Sequence, residues 1–233
     1  MRRRFGLVRF SPSGYLGLHL TMGVFILIGA SWLFGSVAED VMTGDPLTNI
    51  DKYIAEWLHQ HRTPGVTVAM QVVTEFASPV WVTCVTVMAG FVLGWKRYWY
   101  RLLALVLAIP GGMVQVPLLK IAFHRSRPSF EGGFLIFQGY SFPSGHTMAA
   151  TLLYGLLAVF AMQAFDGWCQ RVCAVIGVFG MVLLVGFSRL YLGAHYLSDV
   201  LGAATAGAAW LALTLTAVDV LRRSHHCNIQ PLR

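Results

Sequence analysis

Six long apolar runs constrain the fold of this chain more than any other feature. Each is close to the roughly 20 residues that an α-helix needs to cross the hydrocarbon core of a bilayer. Only 12% of the residues are charged, about half the share typical of soluble domains. The sequence therefore predicts an all-α polytopic membrane protein with six transmembrane helices. The runs fall at about 15–37, 77–95, 100–123, 147–165, 171–188 and 197–221.

The third run is interrupted by Pro110-Gly111-Gly112. Membrane helices tolerate such breaks where neighbouring helices satisfy the freed backbone groups, so we expect a kink and not a helix end. Internal repeats, low-complexity tracts and linkers are lacking along the sequence. We therefore expect residues 1–233 to form a single membrane domain, with its chemistry concentrated at about 100–220.

The longest stretch between apolar runs, residues 38–65, predicts a short amphipathic helix in the first outer loop. Thr48-x-x-Asp51 is typical of a capping box at the start of a helix. Apolar side chains then recur at helical spacing. The sequence leaves two placements open, namely in the outer membrane interface or packed on the helix bundle. The apolar positions are Ile50, Tyr53, Ile54, Trp57 and Leu58.

The distribution of basic residues predicts the orientation of the chain. With six spans, eleven of the seventeen Lys and Arg residues lie on one side and six on the other. Cytoplasmic loops carry the excess of Lys and Arg, so both termini are expected in the cytoplasm. Arg2-Arg3-Arg4-Phe5 and Ser36-Val37-Ala38 resemble parts of an export signal. The first apolar run exceeds the 7–15 residues or so of a signal peptide, so we expect an uncleaved first span.

Three short polar segments stand out in this apolar chain. Each lies at the end of a predicted span, and two crossings separate the loops that carry them, so all three meet at one membrane face. The charge distribution makes this the outer face. The segments are Lys120-x6-Arg127-Pro128, Pro143-Ser144-Gly145-His146 and Ser188-Arg189-x5-His195-x3-Asp199.

The residue types in these segments suit phosphate chemistry. Lys offers a point charge and Arg a planar fork for phosphate oxygens. Ser144 and Gly145 precede a helix, whose free N–H groups form an anion site. His195 and Asp199 are four residues apart and share a helical face. The carboxylate can hold one ring nitrogen and leave the other as a nucleophile.

Other polar residues receive simpler interpretations. Arg125 alone is expected to be a snorkelling cation at the interface. Glu75 is either functional or placed at headgroup level, and His225-His226-Cys227 is expected to be a solvated tail. The cysteines match no zinc pattern, no ATP-binding loop is present, and the basic clusters do not suggest nucleic acid binding. We expect no metal, no cofactor and no obligate protein partner.

All eleven fixed letters of the three segments resemble the signatures of the type 2 phosphatidic acid phosphatase (PAP2) superfamily, and the resemblance covers most of residues 50–220. It implies a metal-independent lipid phosphatase that acts through a phosphohistidine. By this resemblance His195 is the nucleophile, Asp199 orients it, and His146 serves as acid and base. The implied phosphate-binding residues are Lys120, Arg127, Ser144, Gly145 and Arg189.

The substrate expected from this site is a membrane lipid phosphate, taken up between bilayer and water. Undecaprenyl diphosphate, phosphatidylglycerol phosphate, phosphatidate and lipid A phosphates all fit, because the motifs address only the phosphate. A lipid phosphotransferase with the same site is an alternative. A soluble vanadium haloperoxidase is disfavoured by the six spans, and a transporter by charges that lie at helix ends instead of mid-bilayer. The expected location is a bacterial inner membrane with a periplasmic site.

Overall fold

The computed structural model describes residues 15–44, 46–130 and 139–229. These residues form eight α-helices and no strand. The N-terminal arginines and Arg233, which entered the orientation prediction, lie outside them. The helices are α1 Tyr15–Thr43, α2 Pro46–Gln60, α3 Pro64–Glu75, α4 Pro79–Trp95, α5 Trp99–Phe123, α6 Gly145–Ala164, α7 Trp168–Tyr191 and α8 Leu197–Ile229.

Six segments of the described chain are long and apolar enough to cross a membrane, which confirms the six-span fold class. The second span differs most from its prediction, because it begins at Pro64 and not near residue 77. It consists of α3 and α4, and Ser78 caps α4 by accepting a hydrogen bond from the Trp81 backbone N–H at 3.3 Å. The spans are Leu20–Thr43, Pro64–Trp95, Trp99–Phe123, Gly145–Ala164, Trp168–Tyr191 and Leu197–His225.

Helix α5 runs unbroken through Pro110-Gly111-Gly112, so this segment does not end a helix, as expected. The Trp210 indole of α8 donates a hydrogen bond to the Leu107 carbonyl at 3.0 Å, one turn before the proline. Neighbouring side chains of this kind supply polar contacts where a proline disturbs a membrane helix.

The core lies where α5, α6 and α8 meet, and small residues bring these helices together. A Cβ atom added at Gly112 would collide with Leu152 of α6 and lie 2.9 Å from Trp210 of α8. Gly207 of α8 similarly leaves room for Thr151. Close approach at small residues is the usual way in which membrane helices pack. This packing holds the first turn of α6 beside the start of α8.

Helix α2 confirms an amphipathic helix in the loop between the first two spans. It packs against α1, α7 and α8, with Ala55 and Leu58 buried, whereas Tyr53 is 71% exposed and Trp57 49% exposed. The face that carries Ala55 and Leu58 is therefore packed on the bundle, as one of the two expected placements requires. The face that carries Tyr53 and Trp57 points away from the bundle. The predicted capping box is wrong, because the helix starts at Pro46 and the Asp51 carboxylate instead binds Arg125 and Ser198.

Candidate active site

The three polar segments lie at one end of the helix bundle. The Ser144 backbone N–H, just before α6, donates to the Asp199 carbonyl of α8 at 3.1 Å. The Ser141 N–H donates to the Arg125 carbonyl at 2.9 Å, which joins the two ends of the α5–α6 connection. The end of α5, the start of α6 and the α7–α8 region thus lie together, joined in part by backbone hydrogen bonds.

His195 lies in the turn between α7 and α8 and is only 2% exposed. Its Nδ1 is 3.3 Å from Asp199 Oδ2, and its Nε2 is 3.5 Å from Arg127 Nη1. An ionised carboxylate only accepts hydrogen bonds and a guanidinium only donates them. The two neighbours therefore select the tautomer with the proton on Nδ1 and the lone pair on Nε2.

Burial governs the protonation of His195. Loss of water contact is the main cause that lowers the pKa of His195 to about 4. The charges of Arg189 and Arg127 lower this pKa further, and the Asp199 carboxylate raises it only in part. The imidazole is therefore neutral at neutral pH, and its Nε2 lone pair is available for attack on an electrophile.

Lys120 and Arg127 are held by backbone carbonyls of the α5–α6 connection and of the α7–α8 turn. The Lys120 ammonium donates to the Tyr140 carbonyl at 2.8 Å. Arg127 donates through Nε to the Gly139 carbonyl at 3.0 Å and through Nη1 to the Ala194 carbonyl at 2.9 Å. Both side chains are partly exposed, so an anion that arrives from outside can reach them.

Arg189 reaches the same region from the end of α7. It is only 5% exposed, and its Nη1 donates to the Thr74 hydroxyl of α3 at 3.0 Å. Its charge interacts with that of Glu75, which is exposed at the end of α3. Ser188 bonds locally, from its hydroxyl to the Val185 carbonyl at 2.6 Å. Arg189 thus joins the site, whereas Ser188 only braces its own helix.

The first turn of α6 carries Ser144, Gly145 and His146. Ser144 is the N-cap, and its hydroxyl accepts from the Thr147 N–H at 3.4 Å and from the Thr147 hydroxyl at 3.0 Å. His146 is partly exposed and interacts electrostatically with the cationic side chains and with His195. The structure therefore brings together all eight residues that the sequence assigns to the site.

The backbone of the α7–α8 turn requires glycine at one position. Gly193 has a φ of +68°, in the left-handed region that residues with a Cβ rarely adopt. A Cβ there would also collide with Arg62 Nη2 and lie 2.9 Å from the Phe130 ring. Arg62 Nε donates to the Tyr191 carbonyl at 2.9 Å. These contacts hold the turn that carries His195, and the sequence did not predict a role for Arg62.

Two further residues of the site escaped the sequence interpretation. Arg125 is not a snorkelling cation: its Nη1 donates to Asp199 at 2.6 Å and its Nη2 to Asp51 at 2.7 Å. Both carboxylates are fully buried. The guanidinium points inward because the two carboxylates, from α2 and α8, accept charge-assisted hydrogen bonds from it. A position at the membrane interface would not provide these bonds. Asp51 lies 148 positions before Asp199 in the chain, so no local signal links them.

Among the described residues, no three His, Cys, Asp or Glu side chains are grouped so as to hold a metal ion. Cys84, Cys169 and Cys173 are exposed free thiols. The side chains of His226 and Cys227 lie outside the described residues, so the interpretation of that segment stays a prediction.

The geometry thus describes a buried imidazole with cationic side chains close to it, in a six-span membrane protein. The family model of the PAP2 superfamily matches residues 99–223, a range that includes every residue of the three polar segments. The chain belongs to the PAP2 superfamily. It is an integral membrane enzyme of the lipid phosphatase class.

Individual relatives agree with this assignment. Phosphatidylglycerophosphatase B of Bacillus subtilis (strain 168) is 27% identical over 179 residues, which cover 76% of this chain and 87% of the relative. The crystal structure described as the first transmembrane PAP2 type phosphatidylglycerolphosphate phosphatase from Bacillus subtilis has a TM-score of 0.74 at 23% identity. The structural match covers 90% of this chain and 100% of the chain in that crystal structure. Aquifex aeolicus LpxE has a TM-score of 0.57 at 23% identity, over 71% of this chain and 94% of the relative.

Proposed function

We propose that this enzyme hydrolyses a phosphomonoester or diphosphate of a membrane lipid through a phosphohistidine on His195. The observation that carries the proposal is the placement of His195 between Asp199, which can only accept a hydrogen bond, and Arg127, which can only donate one. This leaves Nε2 with a lone pair and places it beside a cation that attracts phosphate.

In the first step, His195 Nε2 attacks phosphorus and the bond from phosphorus to the leaving oxygen breaks. His146 donates a proton to that oxygen, so a phosphomonoester releases the lipid alcohol and a diphosphate releases the lipid monophosphate. Covalent catalysis of this kind divides the hydrolysis into two easier displacements.

In the second step, neutral His146 takes a proton from water, and the resulting hydroxide attacks phosphorus. The bond from phosphorus to His195 Nε2 then breaks and inorganic phosphate leaves. Return of the proton to His146 and of the lone pair to His195 restores the enzyme. His146 is partly exposed, as an acid–base group that meets water must be.

The phosphoryl oxygens are bound by cations and by backbone donors at the start of α6. Phosphoryl transfer depends mostly on positioning and on stabilising charge. Lys120 and Arg127, at and just after the end of α5, and Arg189, at the end of α7, supply that charge. The free N–H groups of the first turn of α6 supply directional bonds. The proposed ligands are Lys120, Arg127, Ser144, the Gly145 N–H and Arg189.

Among the possible lipids we favour phosphatidylglycerol phosphate, because the Bacillus relative is a phosphatidylglycerophosphatase. We place the site on the periplasmic or extracellular side and both termini in the cytoplasm. Lys96, Arg97 and Arg101 lie at the α4–α5 connection and Arg222 and Arg223 near the end of α8, which is the bundle end opposite the site.

The test is phosphate release by the purified protein in detergent micelles. Phosphatidylglycerol phosphate, phosphatidate and undecaprenyl diphosphate are each supplied without an acceptor lipid, with EDTA present throughout. We expect release of free phosphate that vanadate inhibits, because vanadate resembles five-coordinate phosphorus, and fastest turnover of phosphatidylglycerol phosphate. No free phosphate in this assay, but phosphoryl transfer once an acceptor lipid is added, would instead identify a phosphotransferase. Activity that EDTA removes and zinc or magnesium restores would contradict the metal-independent mechanism.

A further inference from the structure

A buried cluster of charges lies against the side of Asp199 that His195 does not use. Asp199 Oδ2 contacts the imidazole, while Oδ1 accepts a hydrogen bond from Arg125 Nη1 at 2.6 Å. The Tyr196 backbone N–H also donates to Oδ2, at 2.9 Å. The carboxylate is therefore held on both oxygens, and the Arg125 guanidinium binds the oxygen that does not contact His195.

Arg125 is in turn held by α2, the helix of the first outer loop. Its Nη2 contacts Asp51 Oδ2 at 2.7 Å. Ser198 joins the same cluster, since its backbone N–H donates to Asp51 Oδ1 at 2.9 Å and its hydroxyl contacts both Asp51 and Arg125. Helix α2 is thereby connected to the first turn of α8, one residue from Asp199.

We propose that Arg125 and Asp51 are positioning residues for phosphoryl transfer. Arg125 orients Asp199 against Nδ1 of His195, and Asp51 limits how far Arg125 neutralises that carboxylate. The inference rests on the proposed function, because it concerns the same nucleophile. Neither residue contacts the imidazole in the structure, so both act through Asp199.

The charge balance of the cluster explains why two carboxylates are present. Arg125, Asp51 and Asp199 together carry one net negative charge. If Arg125 paired with Asp199 alone, their charges would cancel. A ring phosphorylated on Nε2 and protonated on Nδ1 carries positive charge, and the net negative cluster stabilises it. Buried ion pairs are often no better for stability than apolar residues of similar volume, so a role in the site accounts for the cluster better than folding alone.

The groups that face the two centres come from several elements. Those facing His195 are Asp199 of α8, Arg189 of α7, His146 of α6 and Arg127, which follows α5. Those facing Arg125 are Asp51 of α2, Asp199, Ser198 and the Tyr196 ring, whose centroid is 4.6 Å from the guanidinium carbon. A variant at Arg125 or Asp51 therefore changes the charge near His195 without removing any of its direct neighbours.

The experiment uses the full chain in detergent, with Arg125→Gln, Asp51→Asn and the double variant. Asp219→Asn is the matched control, because Asp219 pairs with Arg222 and Arg223 on the same helix far from the site. Two kinds of measurement are made. Kinetics give kcat and KM for lipid phosphate hydrolysis, and ¹⁵N NMR gives the titration midpoint of the His195 ring. The His195 signal is identified by its loss in His195→Ala.

The two single variants are expected to move the His195 titration in opposite directions. Arg125→Gln removes a positive charge, favours the protonated ring and raises the midpoint. Asp51→Asn removes a negative charge and lowers it. The double variant restores the net charge and returns the midpoint toward the wild-type value, yet kcat stays low because Asp199 lacks its guanidinium partner. We expect kcat of the Arg125 variants to fall by roughly 10–100-fold, the cost seen when a partner that orients a metal-binding histidine is lost, with KM nearly unchanged.

Shifts in the same direction, no shift, or unchanged kcat in folded variants would overturn the inference. If Arg125→Gln does not fold, Arg125→Lys replaces it, since lysine keeps the charge but cannot bridge two carboxylates. Full kcat in that variant would equally overturn the inference. Failure of the proposed function is distinguishable, because it would appear as absent phosphate release by the wild-type protein, whereas the ring titration needs no substrate.

Discussion

At the scale of single residues, the chemistry of the two site histidines depends on whether the side chains around each ring donate or accept hydrogen bonds. His195 is nearly inaccessible to water, and it lies between a carboxylate and a guanidinium that together fix its tautomer. His146 has Ala149 and Ala150 at the positions one turn on, where no carboxylate can orient its ring. The two histidines therefore differ in chemistry although both lie in one site.

The protonation of His195 gives the first prediction. Burial lowers its pKa to about 4, so the ring should stay neutral as the pH falls through 6.5 and should gain its proton only at much lower pH. Nucleophilic capacity is thus present at neutral pH and lost on the acid side. The check is a ¹⁵N histidine titration of the wild-type protein in detergent, compared with His195→Ala. A titration midpoint at or above 6.5 would contradict this prediction, because it would show that the Asp199 carboxylate raises the pKa of His195 at least as much as burial lowers it.

Gly145 gives the second prediction. An added Cβ would lie 3.6 Å from Val116, an ordinary contact, so Gly145→Ala should fold. Its methyl group would stand beside the N–H groups proposed to bind phosphate, so we expect a higher vanadate inhibition constant and a higher KM. Gly177→Ala is the control, because a Cβ at Gly177 meets no atom within 4 Å. Equal vanadate affinity in both variants would remove Gly145 from the proposed ligands.

At the scale of helices, the site exists because four helix ends and α2 meet at one end of the bundle. The loop pairs that meet there follow from counting spans, so the sequence was sufficient to predict the convergence of Lys120, His146 and His195. It was not sufficient for Asp51 and Arg125. Their pairing depends on how α2 folds back onto α8, and an isolated Asp or Arg near a membrane interface has no periodicity that reveals its partner.

The orientation of the bundle gives the third prediction. Ser129 lies exposed after α5, near the site, and Cys169 lies exposed at the start of α7, at the opposite end. In a variant whose only cysteine is Ser129→Cys, a membrane-impermeant maleimide should label intact cells. In a variant that keeps only Cys169, labelling should require permeabilised inner membranes. Labelling of both in intact cells would contradict the six-span topology, and the reverse pattern would place the site in the cytoplasm.

At the scale of the whole molecule, apolar length and hydropathy were enough to predict the six spans, because bilayer thickness limits what can cross. The limits of the second span were missed, since α3 and α4 form one crossing that is interrupted at residues 76–78. Thr74, near the end of α3, accepts a hydrogen bond from Arg189, a contact that hydropathy does not encode. The phosphate motifs predict the reaction class, and lipid choice depends on packing outside them.

The covalent intermediate is the central claim, and rapid-quench labelling tests it most directly. Wild-type protein, His195→Ala and His146→Ala are mixed with lipid phosphate carrying ³²P, quenched within milliseconds and analysed for acid-labile, base-stable label. We expect label on the wild-type protein and none on His195→Ala, which should also lack turnover. His146→Ala should turn over about 10²–10⁴-fold more slowly and still become labelled by a substrate with a good leaving group. Label that persists in His195→Ala and disappears in His146→Ala would contradict this account.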